Sequence, residues 1–420
     1  MLAAYRVLAH LGHRLPAPAA LRSLLGARRG AADRWSAWAR DHRGDGPLVW
    51  AHAASVGEQQ VLEPVIGRLA RARPDLRLVL SHTSPSVPPT PIPAAVCHRD
   101  FLPWDEPQPV ARTLEALRPS LLLFGRGDLW PELVAAAATH GVPMAVAGAT
   151  VRVSSARLHP VVRLVFPPVY RHVSWLGAVT QADADRWARL GVPPDRIAVT
   201  GDPRHDRILE RSADLAPATE VRVWGGDGPV LVAGSVEPSD DDVLAAALGR
   251  LMADLPTLHV LIVPHETTEA RIARTRRALA EHGLAAGTWH GAMAGALPPE
   301  PITVVAARGM LADLYLGADL AYVGGGFRRG HLHAVAEPAA VGLPVIVGPC
   351  WDGAPDAAAM KEVGGMLVIT DDGGEGLAEV VRRLALDADE RSHRGLAARR
   401  TLAAGAAEAT ADAALRLMVG

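Results

Sequence analysis

The residues able to do chemistry gather where apolar runs give way to helical patterns. In "LVWAHAASVGEQQVLEPVIGRLA" the carboxylate of Glu58 follows Gly57 at such a joint. An acid in a first helical turn complements the helix dipole by ~0.3–1 kcal/mol. A carboxylate at the mouth of a sheet could instead take a proton from an attacking hydroxyl, an effect typically of ~10²–10⁴-fold. The residue alone leaves both readings open. "LLLFGRGDLWPEL" delivers Arg126 and Asp128, and "VTGDPRHDRI" delivers Asp202, Arg204 and His205. Arg204 could neutralise a leaving phosphate or an acidic sugar. A structural Arg–Asp pair has similar weight.

The second half of the chain has the features of an anion pocket. In "VLVAGSVEPSDDDVL", Gly234 and Ser235 end an apolar run ahead of a helical one. Free backbone N–H groups and a hydroxyl there suit one or two phosphates, although Ser is also an ordinary helix cap. Neither GxxxxGK[ST] nor GxGxxG occurs, which argues against a dinucleotide enzyme. In "AYVGGGFRRGHLHAVAEPAAVGLPVIVGP", Gly324, Gly325 and Gly326 allow close backbone approach. Arg328 and Arg329 could meet anionic groups, and Glu337 could accept two hydrogen bonds from ribose hydroxyls. Pro264, His265 and Glu266 end another strand-like run. Gly309, Met310 and Leu311 offer N–H groups at a further helix start.

These groups need a frame that brings strand ends together. From residue 47 the chain alternates apolar runs with helical segments such as Gln59–Ala72, Gln108–Leu117, Pro131–His140 and Ala182–Leu190. The alternation implies a parallel α/β sheet covered on both faces. It is interrupted at 210–229, a polar stretch with glycines and prolines, and then resumes. The expected organisation is a leader over 1–46, a Rossmann-like domain over 47–209, and a linker over 210–229. A second Rossmann-like domain then spans 230–385, and helices over 386–420 pack across the domains. The carboxyl ends of the two sheets are expected to face a cleft. The five-proline stretch 84–95 is expected on its rim as an ordered loop.

Composition narrows the partners. Net charge is −2 over 420 residues, which gives no general field for nucleic acid. Residues 1–46 depart from that balance, with eight arginines against Asp33, Asp41 and Asp45. A basic leader on an acidic body suits an anionic lipid surface. No run in it reaches the ~18 apolar residues of a membrane span, so an interfacial amphipathic helix is one reading. A helix packed on the protein itself is equally weighted. Cys97 and Cys350 fit a reducing compartment as small buried hydrophobes. The seventeen histidines show no metal-type spacing, so no metal site and no cofactor are expected.

The order HAASVGE, FGRGDLWP, TGDPRHDRI, AGSVEPSDDD, PHE and GGGFRRGHLHAVAEPAAVGLPVIVGP resembles the 3-deoxy-D-manno-octulosonic acid (Kdo) transferases. The resemblance covers nearly the whole chain and implies a GT-B fold. It also implies inverting, metal-independent transfer of Kdo from CMP-Kdo to a lipid A precursor of lipopolysaccharide. The implied location is the cytoplasmic face of the bacterial inner membrane, with the leader as a peripheral anchor.

On that resemblance Glu58 is the general base, and Arg126 or Asp128, with Arg204, stabilises the transition state. The cytidylate would meet Ser235, Pro264, His265, Gly309 to Leu311, Gly325, Gly326, His333 and the Ala334–Val335–Ala336–Glu337 segment. The chain departs from the family pattern at Arg126-Gly127-Asp128, where Glu-x-Glu is common. It departs again at Pro264-His265-Glu266, at Arg308-Gly309-Met310 and at Ala334. Another sugar nucleotide such as a UDP-sugar, handled by a transferase or an epimerase, is the alternative. A non-catalytic relative that binds lipid or nucleotide is a third reading.

Overall fold

A computed structural model describes residues 26–84, 87, 90–159, 167–214, 219–291, 295–352 and 354–419. The chain divides into two compact units, residues 1–207 with 403–420, and residues 208–402.

The first unit is built on β1 (Leu48–His52), β2 (Arg77–His82), β3 (His98–Phe101), β4 (Leu121–Gly125), β5 (Met144–Ala149), β6 (Trp175–Ala178) and β7 (Ile197–Val199). All pair in parallel, in the order β3-β2-β1-β4-β5-β6-β7. Every residue of β1, β4 and β5 is buried, as a sheet covered on both faces requires. Trp35, Trp50, Phe124 and Trp187 pack on one face. Leu62, Ile66, Leu80 and Leu123 pack on the other, joined there by Ala407, Ala411 and Ala414 of the last helix, Ala406–Val419. Buried Asp206 caps that helix, accepting hydrogen bonds from Gly405 N at 2.7 Å and Ala407 N at 3.1 Å.

The second unit repeats the plan. Its strands are β8 (Val230–Val236), β9 (His259–Pro264), β10 (Gly287–Trp289), β11 (Ile302–Val305), β12 (Leu320–Val323), β13 (Val345–Val347) and β14 (Met366–Val368). Their order is β10-β11-β9-β8-β12-β13-β14. Alternate residues of β8 go to opposite cores, Leu231 and Ala233 to one and Val230 and Val232 to the other.

Apolar runs of the sequence such as "LVWAHA", "SLLLFG", "VLVAGS" and "PVIVGP" are strands, whereas β3 and β10 carry no such run. Both are edge strands, β3 reading His-Arg-Asp-Phe and β10 only Gly-Thr-Trp. A strand with one neighbour need not be a continuous apolar run, and these two are not, although β7 and β14 at the opposite edges are. The stretch expected as a linker is partly helical: the helix Pro203–Asp214 runs into it and Thr219–Gly225 forms another. Within 386–420 the two helices part company. Ala388–Arg400 belongs to the second unit, and Ala406–Val419 belongs to the first.

Residues 1–25 of the leader, and part of the proline-rich loop, lie outside the described residues. What is described of the leader folds onto the first unit. The helix Ala31–His42 buries Ala31, Ala32, Trp35 and Ala39, and Trp35 Nε1 donates to Phe101 O at 2.9 Å. Its arginines are engaged too. Arg34 grips Asp100 through two hydrogen bonds of 2.7 Å, and buried Arg28 lies against the rings of Trp104 and Trp130. For residues 31–42 this corrects the interfacial reading, because the apolar stripe is spent on the protein's own core. Among the described residues no helix is long and apolar enough to cross a membrane. The cysteines also differ from expectation: Cys97 is exposed and Cys350 half-buried, both as free thiols. Cys97 stands at the start of an edge strand, where one flank has no neighbour to bury it.

Candidate active site

In both sheets the strand order reverses direction next to the first strand, between β1 and β4 and between β8 and β12. In open parallel sheets ligands bind outside the carboxyl ends at such switch points. The described residues include three non-glycine residues with φ in the left-handed region, and two stand at these points, Arg126 (φ 58°) and Ser235 (φ 52°). A side chain held there costs about 1–3 kcal/mol and persists only where the surroundings enforce it.

Glu58 comes from the first turn of the helix Val56–Ala72, after β1. Ser55 is the helix cap, its hydroxyl accepting from Glu58 N at 3.4 Å, and Glu58 Oε2 accepts from Ala54 N at 2.7 Å. This is a capping box displaced by one residue, so the structural role of Glu58 is real. It fixes the carboxylate in place and leaves the acid half-exposed. Burial pushes the Glu58 pKa up, the Ala54 hydrogen bond opposes this, and the neighbouring Asp128 charge adds to the rise. Gly125, at the end of β4, lets the two elements meet, since a Cβ there would lie 3.2 Å from Glu58 O.

Asp128 sits at the same switch point. Trp130 Nε1 donates to its Oδ2 at 2.9 Å, and His52 Nε2 stands 3.4 Å away. Burial would raise its pKa, but the hydrogen bonds from His52 and Trp130 outweigh that and the pKa is lowered. His52 was not singled out in the sequence, although it ends β1 fully buried. Its Nδ1 lies 2.9 Å from Ser81 Oγ, and that oxygen accepts from Trp50 Nε1 at 2.8 Å. Only the tautomer with hydrogen on Nε2 gives Asp128 a donor. Two carboxyls of opposite tendency thus stand together, one pushed towards proton uptake and one held ionised, the pattern by which acid and base roles separate.

Arg126 and Arg204 share a single carboxylate. Asp202 Oδ2 accepts from Arg126 Nη2 at 2.6 Å and from Arg204 Nη2 at 2.7 Å. Asp202 is buried, which opposes its charge, yet the two guanidiniums keep its pKa far below the usual range. The structural pairing and a role in charge stabilisation therefore coexist: two cations on one anion leave a net positive charge.

In the second unit, residues from three strand ends converge. Ser235 is the penultimate residue of β8, His265 follows β9, and His333 follows the glycines after β12. The rings of His265 and His333 stack at 4.2 Å. His333 Nε2 lies 3.0 Å from Glu237 Oε1. Burial lowers the His333 pKa, with the Glu237 hydrogen bond opposing. The glycines are buried and packed against protein backbone. A Cβ on Gly324 would lie 2.4 Å from Ser235 O, one on Gly325 2.1 Å from His331 O, and one on Gly326 2.6 Å from Gly348 N. Gly325 and Gly326 therefore shape the floor of the site by allowing strand ends to close on one another.

The residue that organises this floor is Asp240, which the sequence reading passed over. It is fully buried; Oδ2 accepts from Gly325 N at 2.8 Å and Glu237 N at 2.7 Å, and Oδ1 accepts from the Tyr322 hydroxyl at 2.9 Å. Burial raises its pKa against those three hydrogen bonds. Its signal was present as one acid among three in "SDDD", indistinguishable there from ordinary helix-start acids.

The remaining residues expected to hold the nucleotide form a second group. Gly309 (φ 80°) and Met310 precede the short helix Leu311–Leu316, and Gly309 O accepts from Arg211 Nη2 at 3.3 Å. Glu337 lies in the helix Ala336–Ala340; burial raises the pKa of Tyr315, and the charge of Glu337 adds to that rise. Arg211, Ala312 and Glu337 line one small hollow. Pro264, Val335 and Ala336 are buried, Ala334 is exposed, and Arg328 and Arg329 are exposed on the adjoining loop.

A buried histidine beside the site has a measurable consequence. His82, at the end of β2, has neither ring nitrogen hydrogen-bonded and packs against Phe101 at 4.2 Å. Burial, with help from Arg99, lowers its pKa to about 4. The neutral form is the one that folds, so stability is full above pH 6.5 and falls as the pH drops from 6.5 towards 4. The expected loss over that window is about 3 kcal/mol. His82→Leu should flatten this part of the curve in denaturant unfolding at pH 7.5 and 4.5. An unchanged pH dependence would rule out His82 as the source.

Comparison with known proteins agrees with this architecture. Residues 25–207 match the family model described as 3-deoxy-D-manno-octulosonic-acid transferase (kdotransferase). Three relatives carry the name 3-deoxy-D-manno-octulosonic acid transferase. The Bordetella pertussis protein is 29% identical over 383 residues, covering 84% of this chain and 86% of its own. The Chlamydophila psittaci protein is 28% identical over 318 residues, covering 73% and 70%. The Haemophilus influenzae protein is 25% identical over 355 residues, covering 83% and 81%. Among solved structures, UDP-GlcNAc 2-epimerase from Neisseria meningitidis, bound to UDP-GlcNAc, aligns with a TM-score of 0.60 at 13% identity, over 88% of this chain and 100% of that one. A glycosyltransferase from Rickettsia africae aligns at 0.54 and 11% identity, over 90% and 96%. These two likenesses establish the fold, an α/β chain of two Rossmann-like units of the GT-B kind. The motifs, the family match over the first unit and the named relatives agree, and each marks the chain as similar to the 3-deoxy-D-manno-octulosonic acid transferases.

Proposed function

We propose that this glycosyltransferase moves Kdo from CMP-Kdo to a hydroxyl of a lipid A precursor, with inversion and without a metal in the transfer step. The observation that carries the reading is Glu58: a half-exposed carboxylate of raised pKa, fixed by Ala54 N at a sheet's switch point. In the proposed step an acceptor hydroxyl loses its proton to Glu58 as its oxygen bonds to the anomeric carbon. The bond from that carbon to the phosphate oxygen breaks, and CMP leaves with the electron pair. The net positive charge of Arg126 and Arg204 around Asp202 suits a carboxylate-bearing sugar. Ser235, His265, His333, the N–H groups of Gly309 to Leu311, and Glu337 are the proposed contacts of cytidylate. The proposed setting is the cytoplasmic face of the inner membrane. There Arg6, Arg14 and Arg22, with no acid among residues 1–25, would attract anionic lipid.

The test is transfer of labelled Kdo from CMP-Kdo, generated in situ, to a tetra-acylated lipid A precursor in the presence of a chelator, with mass analysis of the product. The expected result is a product heavier by one or more Kdo residues. CMP should displace a fluorescent nucleotide at lower concentration than UMP; the reverse order would favour a UDP-sugar as donor.

A further inference from the structure

We infer that Glu237, His265 and His333 form a binding site for a divalent transition metal of the zinc type. One ligand atom from each residue can be chosen so that all three lie within 4.8 Å of one another. A zinc ion with bonds of about 2.0–2.2 Å sets tetrahedral ligands about 3.3 Å apart, so modest side-chain rotation and splaying of the stacked imidazoles suffice. Glu237 and His333 are already closer than that, at 3.0 Å.

Backbone contacts hold the three in register. Glu237 N donates to Asp240 Oδ2 at 2.7 Å, His265 N to Val236 O at 3.0 Å, and His333 N to Gly324 O at 3.3 Å. The His333 ring packs closely over Gly325, where a Cβ would lie 3.2 Å from its Cδ2. Two imidazoles and one carboxylate are a borderline donor set. It selects zinc, cobalt or nickel over magnesium or calcium, which prefer all-oxygen sites. Each imidazole binds through a ring-nitrogen lone pair. Coordination through His333 Nε2 places the ring proton on Nδ1, and any excess proton goes to solvent. Three protein ligands leave the fourth position open to water.

The spacing of these residues in the chain hides the site. Glu237 is 28 positions from His265 and His265 is 68 from His333, by subtraction of their numbers. The ion takes no part in the transfer step proposed above; because His265 and His333 are also proposed contacts of cytidylate, ion and nucleotide would compete for them, and the titration below is run without nucleotide.

The experiment is titration of the full, chelator-treated protein with Co²⁺, followed by visible absorption and then displacement by Zn²⁺. Saturable binding of one ion with tetrahedral or five-coordinate d–d bands is expected. His265→Ala and His333→Ala should each weaken binding at least roughly tenfold, and Glu237→Gln should shift the bands. Excess Mg²⁺ should leave the Co²⁺ spectrum unchanged. Thermal unfolding of each variant checks that the fold is retained. Absence of Co²⁺ bands, or equal affinity in wild type and both histidine variants, would overturn the assignment.

Discussion

Glu58→Gln is expected to cut Kdo transfer by ~10²–10⁴-fold while leaving the fold intact. The amide keeps an oxygen that can accept from Ala54 N, so the helix start survives and the change in unfolding free energy should stay within about 1 kcal/mol. What disappears is the ability to take a proton. The raised pKa adds a second readout. A base works above its pKa, so wild-type kcat/KM should fall on the acid side with a midpoint above the ordinary 4.5 of a glutamate. That limb should vanish in the glutamine variant. Glu58→Asp retains the charge on a shorter arm and should recover part of the rate. Near-normal turnover by the glutamine variant would leave Glu58 as a helix cap and remove it from the mechanism.

The largest expected loss of stability comes from Asp240→Ala, about 3–5 kcal/mol in the second unit. The substitution strands three buried donors, Gly325 N, Glu237 N and the Tyr322 hydroxyl. Asp240→Asn should be much milder for a geometric reason. Its amide oxygen can keep both backbone N–H groups, and its NH₂ can donate to the Tyr322 oxygen, which reverses its role and accepts. Chemical unfolding of the three proteins measures this directly. Equal destabilisation by Ala and Asn would show that the negative charge, and not acceptor geometry, holds the glycine loop. Because Glu237 hangs from the same carboxylate, Asp240→Ala should also loosen the Glu237–His333 contact.

Much of the architecture was legible because both sheets are parallel and covered on both faces. Their central strands must be short continuous apolar runs, and the helices between them must be amphipathic, so "LVWAHA" and "VLVAGS" declare themselves without any partner in view. The edge strands β3 and β10 did not, since a strand with one neighbour needs no such run. The helix Ala31–His42 was ambiguous for another reason. An apolar stripe with arginines beside it looks the same whether it faces lipid or Trp50, and only the packing of Trp35 on the first unit's core decides.

At the site, residue type and position at a strand end pointed to Glu58, Arg126, Asp128, Ser235 and Glu337, because a parallel sheet places its reactive groups there. Their protonation was not legible. A carboxyl's pKa depends on what lies within a few ångströms. Asp128, His52 and Ala54 N around Glu58, and two arginines around Asp202, are neighbours brought in by strand order. The same holds for Asp240, and for the meeting of Glu237, His265 and His333. By itself the chain determined which segments become strands and which residues stand at their ends. The fold alone decided which of those ends adjoin, and so which charges, protons and lone pairs share a site, because Coulomb and hydrogen-bond energies fall off with distance in space and not along the sequence.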